Sequence, residues 1–421
     1  MDDLISGKDI KEVGDFSIHI LNHLQCEGLW VSKGKLQYVE PEVKYLGHLI
    51  SAGRRIGPER VEGIVSLPLP QIKQELRKFL GLVRYCHLWI DSYALKSKLL
   101  YEKLAQWKPD CLLWAAEEIQ QIEELKEMLI TAPLLSLPSL EKPFHLFVNV
   151  NNGVALGVLT QEQGGHRQPV AFLSKVLDPV TFEWPQCIQS ITATAVLVEE
   201  SRNLTFGGKL TVSTPHQVRT ILNQKAGRWI TDSRILKYEA ILLEKDDLIL
   251  TTDNSLNPAG FLTGNPKLKR EHACLDLIDY HTKVRPDLGE TPFKTGWHLF
   301  IDGSSQVIER KRHNRYSVID GETLEEVESG RLPNDWSAQM CELFALSQAL
   351  GHLQNQEGTI YTDSKYTFGM AHIFGKICMD RGLIKSRGQV LVHRELITSV
   401  LNNLQLPEEI AIVHVPGHHR D

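Results

Sequence analysis

The chain lacks any excess of positive charge: 46 Lys and Arg stand against 52 Asp and Glu among 421 residues, a formal net charge of -6. A dedicated binder of polyanions is often basic overall. Contact with phosphates would therefore rest on local clusters such as Lys267 to Arg270 and Glu309 to Arg312, and such runs are ordinarily solvated surface. Cysteines number only seven, with no Cys-X-X-Cys pair and no zinc-type spacing, so they read as thiols in a reducing compartment. No signal peptide and no apolar run long enough to span a bilayer is present. The expectation is an intracellular protein, cytoplasmic or nuclear, without a membrane partner, whose Asn203-Leu204-Thr205 sequon stays unused. What remains is ordinary globular composition, 42% hydrophobic and 23% charged, over a length that suits roughly two to four domains.

Against this plain background, three carboxylates fall in a telling order. His298-Leu299-Phe300-Ile301-Asp302 is an apolar run that reads as a buried strand and ends at the Gly303-Ser304-Ser305 turn. Cys341-Glu342-Leu343 lies in a helical stretch, and Tyr361-Thr362-Asp363-Ser364 closes a second short strand. Taken singly, an Asp at a strand end is a turn former or a helix cap. One strand, one helix and another strand, however, can aim Asp302, Glu342 and Asp363 at one point. Carboxylates so placed can hold a pair of Mg²⁺ (or Mn²⁺) ions, which deprotonate a water and stabilise the leaving oxygen of a phosphodiester.

From about Trp297 to the last residue, the sequence resembles the ribonuclease H domain of retroviral Pol polyproteins, particularly the gammaretrovirus-like and endogenous-retrovirus class. FIDGSS, SAQMCELFALSQAL, YTDSKYTFGMAHIFG, RGLI and IVHVPGH carry the resemblance. It implies cleavage of the RNA strand of an RNA/DNA hybrid, with Asp302 bridging the metals and Glu342 and Asp363 completing the set. It further implies that Ser304, Ser364 and Lys365 meet nucleic acid, and that His418 is a mobile histidine assisting proton transfer or product release. Read without the family, His418 beside His419 is equally an exposed tail histidine, and His414 packs on a strand. Two departures stand out. The family's fourth carboxylate lies on a helix a dozen or more residues beyond the Pro-Gly-His loop, whereas Asp421 follows His418 too closely to be that ligand. Weak or absent cleavage is the expectation, together with an apolar sheet face that a protein partner could cover. The second departure is Arg315 and Tyr316, standing where the family tends to carry glycine and small residues, which is expected to strain that hairpin.

The remainder resembles the same Pol proteins. Val43-Lys44-Tyr45-Leu46-Gly47-His48-Leu49-Ile50 is similar to the segment that cradles the primer end, although alone it reads as a plain β-hairpin. Its distance from Met1-Asp2-Asp3-Leu4 implies that Asp2 and Asp3 belong to a Tyr-X-Asp-Asp polymerase motif whose other parts would lie upstream, so DNA synthesis by this chain is not expected. After Leu67-Pro68-Leu69-Pro70, residues Ile72, Leu76, Phe79, Leu80 and Val83 mark one face of an amphipathic helix. Lys73, Arg77, Lys78 and Arg84 are assigned to its opposite, solvated face. The resemblance to the Pol thumb, continued by Trp114 and the pattern through Leu129, implies that this basic side tracks a duplex backbone without reading sequence. Beyond Pro133 the chain repeats itself in outline: Phe144-His145-Leu146-Phe147-Val148-Asn149 parallels Trp297 to Asp302, with an amide in the carboxylate's place. Ala193 to Glu200 then stands where the Glu342 helix would be, and Leu210 to Pro215 matches the approach to Asp363, with Thr214 in place of an acid. Together with Arg167 to Lys175 this resembles the connection domain of reverse transcriptases.

The expected architecture is α/β (α+β) and multidomain: two RNase H-like mixed-sheet domains preceded by a helical thumb and a palm remnant. Its segments are a palm remnant at 1–62, a thumb at 63–131, a connection domain at 132–264, a charged, proline-rich linker at 265–296 and an RNase H domain at 297–421. Two functional classes follow. One is a metal-dependent endonuclease on RNA/DNA hybrids. The other is a catalytically silent module that binds nucleic acid or protein.

Overall fold

The computed structural model describes the chain except residues 1–3, 8, 107–109, 183, 225–228, 254–256, 263–272, 283, 309–310, 381, 384–390 and 417–421. Asp2, Asp3 and His418 therefore lie outside the described residues. Contacts divide the chain into two compact units. Unit one gathers residues 1–176, 193–215 and 245–267; unit two gathers 177–192, 216–244 and 268–421.

Unit one opens with a helix over Ile10–Cys26, started by the Asp9 carboxylate, which accepts from the Lys11 N–H at 3.0 Å. No residue of this helix is buried, although Ile10, Phe16 and Ile18 are apolar. An antiparallel sheet follows, with β1 (Val43–Tyr45), β2 (His48–Ile50), β3 (Gly53–Ile56) and β4 (Leu135–Ser136) in sequential order. The β1–β2 turn needs two left-handed residues, and Leu46 (φ 48°) and Gly47 (φ 78°) supply them. Helices over Pro58–Val65, Lys73–Tyr85, Lys98–Ala105 and Ala116–Ile130 enclose a core of Leu76, Phe79, Leu80, Val83, Trp89, Ile122, Leu125 and Leu129. Each such large apolar side chain contributes about 1.5–3 kcal/mol on burial.

Lys73 corrects the expected face of its helix. It is buried, and its Nζ donates to the Gln106 carbonyl at 2.5 Å. Positions 73, 76, 80 and 83 lie three, seven and ten apart, so helical spacing places Lys73 on the core stripe and the carbonyl satisfies its ammonium. Arg77, Lys78 and Arg84 are exposed, as expected.

Unit one also holds a mixed sheet of β5 (Phe144–Asn151), β6 (Val154–Gln163), β7 (His166–Val176), β8 (Leu210–Thr214) and β9 (Leu248–Thr252), in the order β7-β6-β5-β8-β9. Asn152-Gly153, both with positive φ, close the first hairpin. Unit two repeats that order with β10 (Trp297–Ile308), β11 (Lys311–Asp320), β12 (Glu326–Leu332), β13 (Glu357–Thr362) and β14 (Glu409–His414), arranged β12-β11-β10-β13-β14. In both sheets the first three strands form an antiparallel meander, and the last two add in parallel. The internal repeat read from sequence is thus a repeat of topology. Helices Ala338–His352 and Arg394–Asn403 of unit two share a core with Leu299, Ile301, Ile360 and Ile412.

Two further expectations need correction. Tyr316 and Arg315 do not strain their hairpin: β10 and β11 pair without interruption from Leu299↔Asp320 to Ile308↔Lys311. Arg315 is exposed, while Tyr316 lies opposite Gly330, where a Cβ would meet its ring at 2.8 Å. The cross-strand glycine makes the room, and the tyrosine hydroxyl donates to Glu328 at 2.6 Å. Nor is the 265–296 stretch a bare linker. It contains a helix over Cys274–Thr282 whose buried Cys274, Ile278 and Thr282 recur every fourth residue, a stripe hidden by the segment's polar average. Arg285 then buries its guanidinium, donating to the carbonyls of Leu404, Pro407 and Glu408 at 2.7–3.0 Å and to the Asp287 carboxylate at 2.6 and 2.7 Å.

Candidate metal centre

Parallel pairing of β10 with β13 sets Ile301 beside Thr362, so Asp302 on β10 and Asp363 just past the end of β13 come one residue later, side by side. The third acid arrives on the helix Ala338–His352, which Ser337 caps by accepting from the Met340 N–H at 3.3 Å. Asn314 secures the approach to that cap, donating to the carbonyls of Pro333 and Trp336 at 2.6 and 3.0 Å. Gly303 permits the helix to lie directly on the strand, because a Cβ there would land on the backbone of Cys341 and Glu342.

The result is one cluster. Carboxylate oxygens of Asp302, Glu342 and Asp363 lie within 4.8 Å of one another. Burial pushes the Glu342 carboxyl up to about 8, and the charges of Asp302 and Asp363 add to that rise; a hydrogen bond from the Gly303 N–H opposes it. Its Oε2 is buried with no hydrogen-bond partner among the described residues. An acid whose proton is favoured first by burial and then by two neighbouring carboxylates, with an orphaned oxygen, fits a site completed by a cation. Three hard oxygen donors suit Mg²⁺ or Mn²⁺.

Neighbouring residues hold the frame. His414 Nε2 lies 3.2 Å from the Asp363 carbonyl, and the Val415 N–H donates to the Thr362 carbonyl at 2.9 Å. His414, read from sequence only as a strand-packing residue, is thus a positioning residue for Asp363; its place at the end of β14, in register with Thr362, is the signal that pairing reveals. Ser304 is half-buried on β10 opposite Arg315. Ser364 caps the short helix Lys365–Gly369 by accepting from the Thr367 N–H at 3.2 Å, and Lys365 is exposed beside it.

The other expected residues lie in unit one. His48 stacks against Tyr85 and Trp89, with ring centroids 5.1 and 4.8 Å away, and the Tyr85 hydroxyl donates to the Leu46 carbonyl at 2.7 Å. The Arg60 guanidinium lies against Gly47 and over the Tyr85 ring, and the positive φ of Gly47 would strain any side chain there. Burial, with help from Arg54 and Arg60, lowers His48 to about 4, so it is neutral near pH 7. In the second copy, Asn149 is half-buried and Thr214 is buried, and neither supplies a charge. No described helix is long and apolar enough to cross a membrane.

Comparison with known proteins bears on both mixed sheets. A family model for RNase H matches residues 294–421, and one for the RNase H-like domain found in reverse transcriptase matches residues 114–212. The Pol polyprotein of feline endogenous virus ECE1 is 38% identical over 404 residues, covering 96% of this chain and 38% of that protein. The Gag-Pol polyprotein of baboon endogenous virus (strain M7) is also 38% identical over 404 residues, 96% of this chain and 23% of its own length. The chain therefore spans well under half of either relative. Among solved structures, the foamy viral protease-reverse transcriptase in complex with RNA/DNA hybrid aligns over 98% of this chain and 55% of its own, with a TM-score of 0.55 at 18% identity, a likeness of fold.

Proposed function

Because the chain belongs to the retroviral Pol family and carries an RNase H domain, we propose that it binds RNA/DNA hybrid and hydrolyses the RNA strand at the Asp302–Glu342–Asp363 cluster. The observation that carries the reading is the convergence of three carboxylates around the orphaned Glu342 oxygen. Divalent ions held there would activate water and stabilise the leaving oxygen of the phosphodiester. The resemblance implies that Asp302 would be the ligand shared between the ions, with Glu342 and Asp363 completing the set. Glu342 would bind a cation as the carboxylate, the cation offsetting the burial and the neighbouring charges that now favour its proton. Gly303 steadies the resulting carboxylate through its N–H. Recognition would rest on backbone shape and 2′-hydroxyls rather than on bases. His418, assigned by the resemblance alone, and Ser304, Ser364 and Lys365 remain part of this proposal.

Cleavage of a labelled RNA/DNA hybrid in Mg²⁺ and in Mn²⁺ tests the reading. Metal-dependent cutting should fall by more than ~100-fold in Asp302→Asn, while hybrid binding persists. Cutting that survives the substitution would place the activity elsewhere.

A second reading, a binding module without chemistry, draws on an apolar trio on the sheet: Phe300 pairs with Ile319 on one side and stacks on Tyr361 at 4.5 Å on the other, with Phe300 and Ile319 exposed. Hybrid binding with no cutting by the unsubstituted chain in either metal would favour it.

Arg77, Lys78 and Arg84 supply the exposed basic face proposed to follow a duplex backbone. Their combined replacement by Glu should weaken hybrid binding and flatten its salt dependence, by a slope of about 0.7–0.9 per lost phosphate contact. Lys73→Met should leave both unchanged, since its ammonium is spent on the Gln106 carbonyl. Binding measured across a salt series separates these outcomes.

A further inference from the structure

Seven cysteines without a recognisable spacing gave no metal motif, yet folding gathers two of them around a histidine. Cys187 sits in the first turn of the helix Gln186–Thr205, His216 in the loop after β8, and Cys274 at the start of the helix Cys274–Thr282. All three belong to unit two. Their donor atoms lie within 4.8 Å of one another, with Cys274 Sγ 3.8 Å from His216 Nδ1. Each of the three is nearly or wholly buried, at 0%, 2% and 2% exposure.

We propose that Cys187, His216 and Cys274 form a zinc-class metal site, distinct from the carboxylate cluster, that staples the starts of two helices to the loop after β8. The donor chemistry selects the ion. Two thiolates and one imidazole are the soft and borderline ligands that favour Zn²⁺ over Mg²⁺ or Mn²⁺, and the 3.8 Å between Cys274 Sγ and His216 Nδ1 suits a tetrahedral ion with Zn–S of about 2.3 Å and Zn–N of about 2.0 Å. On binding, the two thiols release their protons to solvent and His216 ligates as neutral imidazole, so no electron moves. Among the described residues no fourth donor joins these three, and a water could complete the tetrahedron. An ion here would tie the Cys274–Thr282 helix, whose Thr282 hydroxyl accepts from the Trp229 indole at 3.1 Å, to the preceding helix and loop at its opposite end.

Titration of the reduced, metal-free full chain with Co²⁺, followed by absorption, tests the proposal. The expected result is a thiolate-to-cobalt charge-transfer band with tetrahedral visible bands, abolished by Zn²⁺, lost in Cys187→Ser and in Cys274→Ser, and weakened in His216→Asn. Cys26→Ser and Cys111→Ser, at exposed cysteines, should keep the band. The carboxylate cluster cannot mimic this spectrum, having only oxygen donors. Absence of a charge-transfer band in the unsubstituted chain, or its persistence without Cys187 or Cys274, overturns the site. Should those variants fail to fold, X-ray absorption of the Zn²⁺-loaded unsubstituted chain decides: sulfur with nitrogen in the first shell supports the proposal, and an all-oxygen shell overturns it.

Discussion

Gly303→Ala should lose both the carboxylate cluster and much of the stability of unit two. The new Cβ would strike the backbone of Cys341 and Glu342 rather than the end of a movable side chain, so strand and helix must part. Overpacking of this kind costs about 3 kcal/mol. The same displacement carries the Glu342 carboxylate away from Asp302 and Asp363 and out of reach of the backbone N–H of residue 303 that now steadies it. Urea denaturation reads the first effect and divalent-metal titration the second. Near-unchanged values in both would mean that the helix does not lie against the strand as described.

Arg285→Ala should destabilise unit two by a comparable amount, about 3 kcal/mol. The guanidinium serves three carbonyls from the segment leading into β14 and a carboxylate besides. Removing it leaves acceptors without donors, at roughly 1–3 kcal/mol for each one that water fails to reach. Arg285→Lys should recover little, because a single ammonium cannot span Leu404, Pro407 and Glu408 together with both oxygens of Asp287. Since β14 ends at His414 beside the Asp363 carbonyl, metal affinity should weaken with stability. Denaturant midpoints of the three proteins measure this, and equal midpoints would contradict it.

The acids were legible in the sequence because each ends or enters a regular element, where strand and helix periods fix direction. Both mixed sheets could be read for the same reason, and their common strand order follows from similar apolar runs. The charge of Lys73 points to a solvated face, whereas its spacing to Leu76, Leu80 and Val83 places it inside. Tyr316 looked like a source of strain because the glycine that accommodates it stands on another strand. Arg285 is hidden in a polar segment, while its carbonyl partners lie more than a hundred residues away. Cys187, His216 and Cys274 escaped for that same reason: tertiary closure brings them together, and local spacing does not.

The pH dependence of divalent-metal binding to the full chain tests the central claim most directly. Glu342 is raised from the ordinary carboxyl range to about 8. Metal-free, the contribution of this group to stability is greatest below its unfolded value and is lost as pH rises through the folded value, when its charge meets those of Asp302 and Asp363. Binding of Mg²⁺ or Mn²⁺ must displace that proton below about 8 and need not above it. Calorimetric titration in buffers of different ionisation enthalpy, from pH about 5 to about 9, should show affinity rising toward 8, with proton release that fades beyond it, and Asp302→Asn should bind far more weakly. Affinity indifferent to pH, or unaltered in Asp302→Asn, would contradict a metal centre built on these three carboxylates.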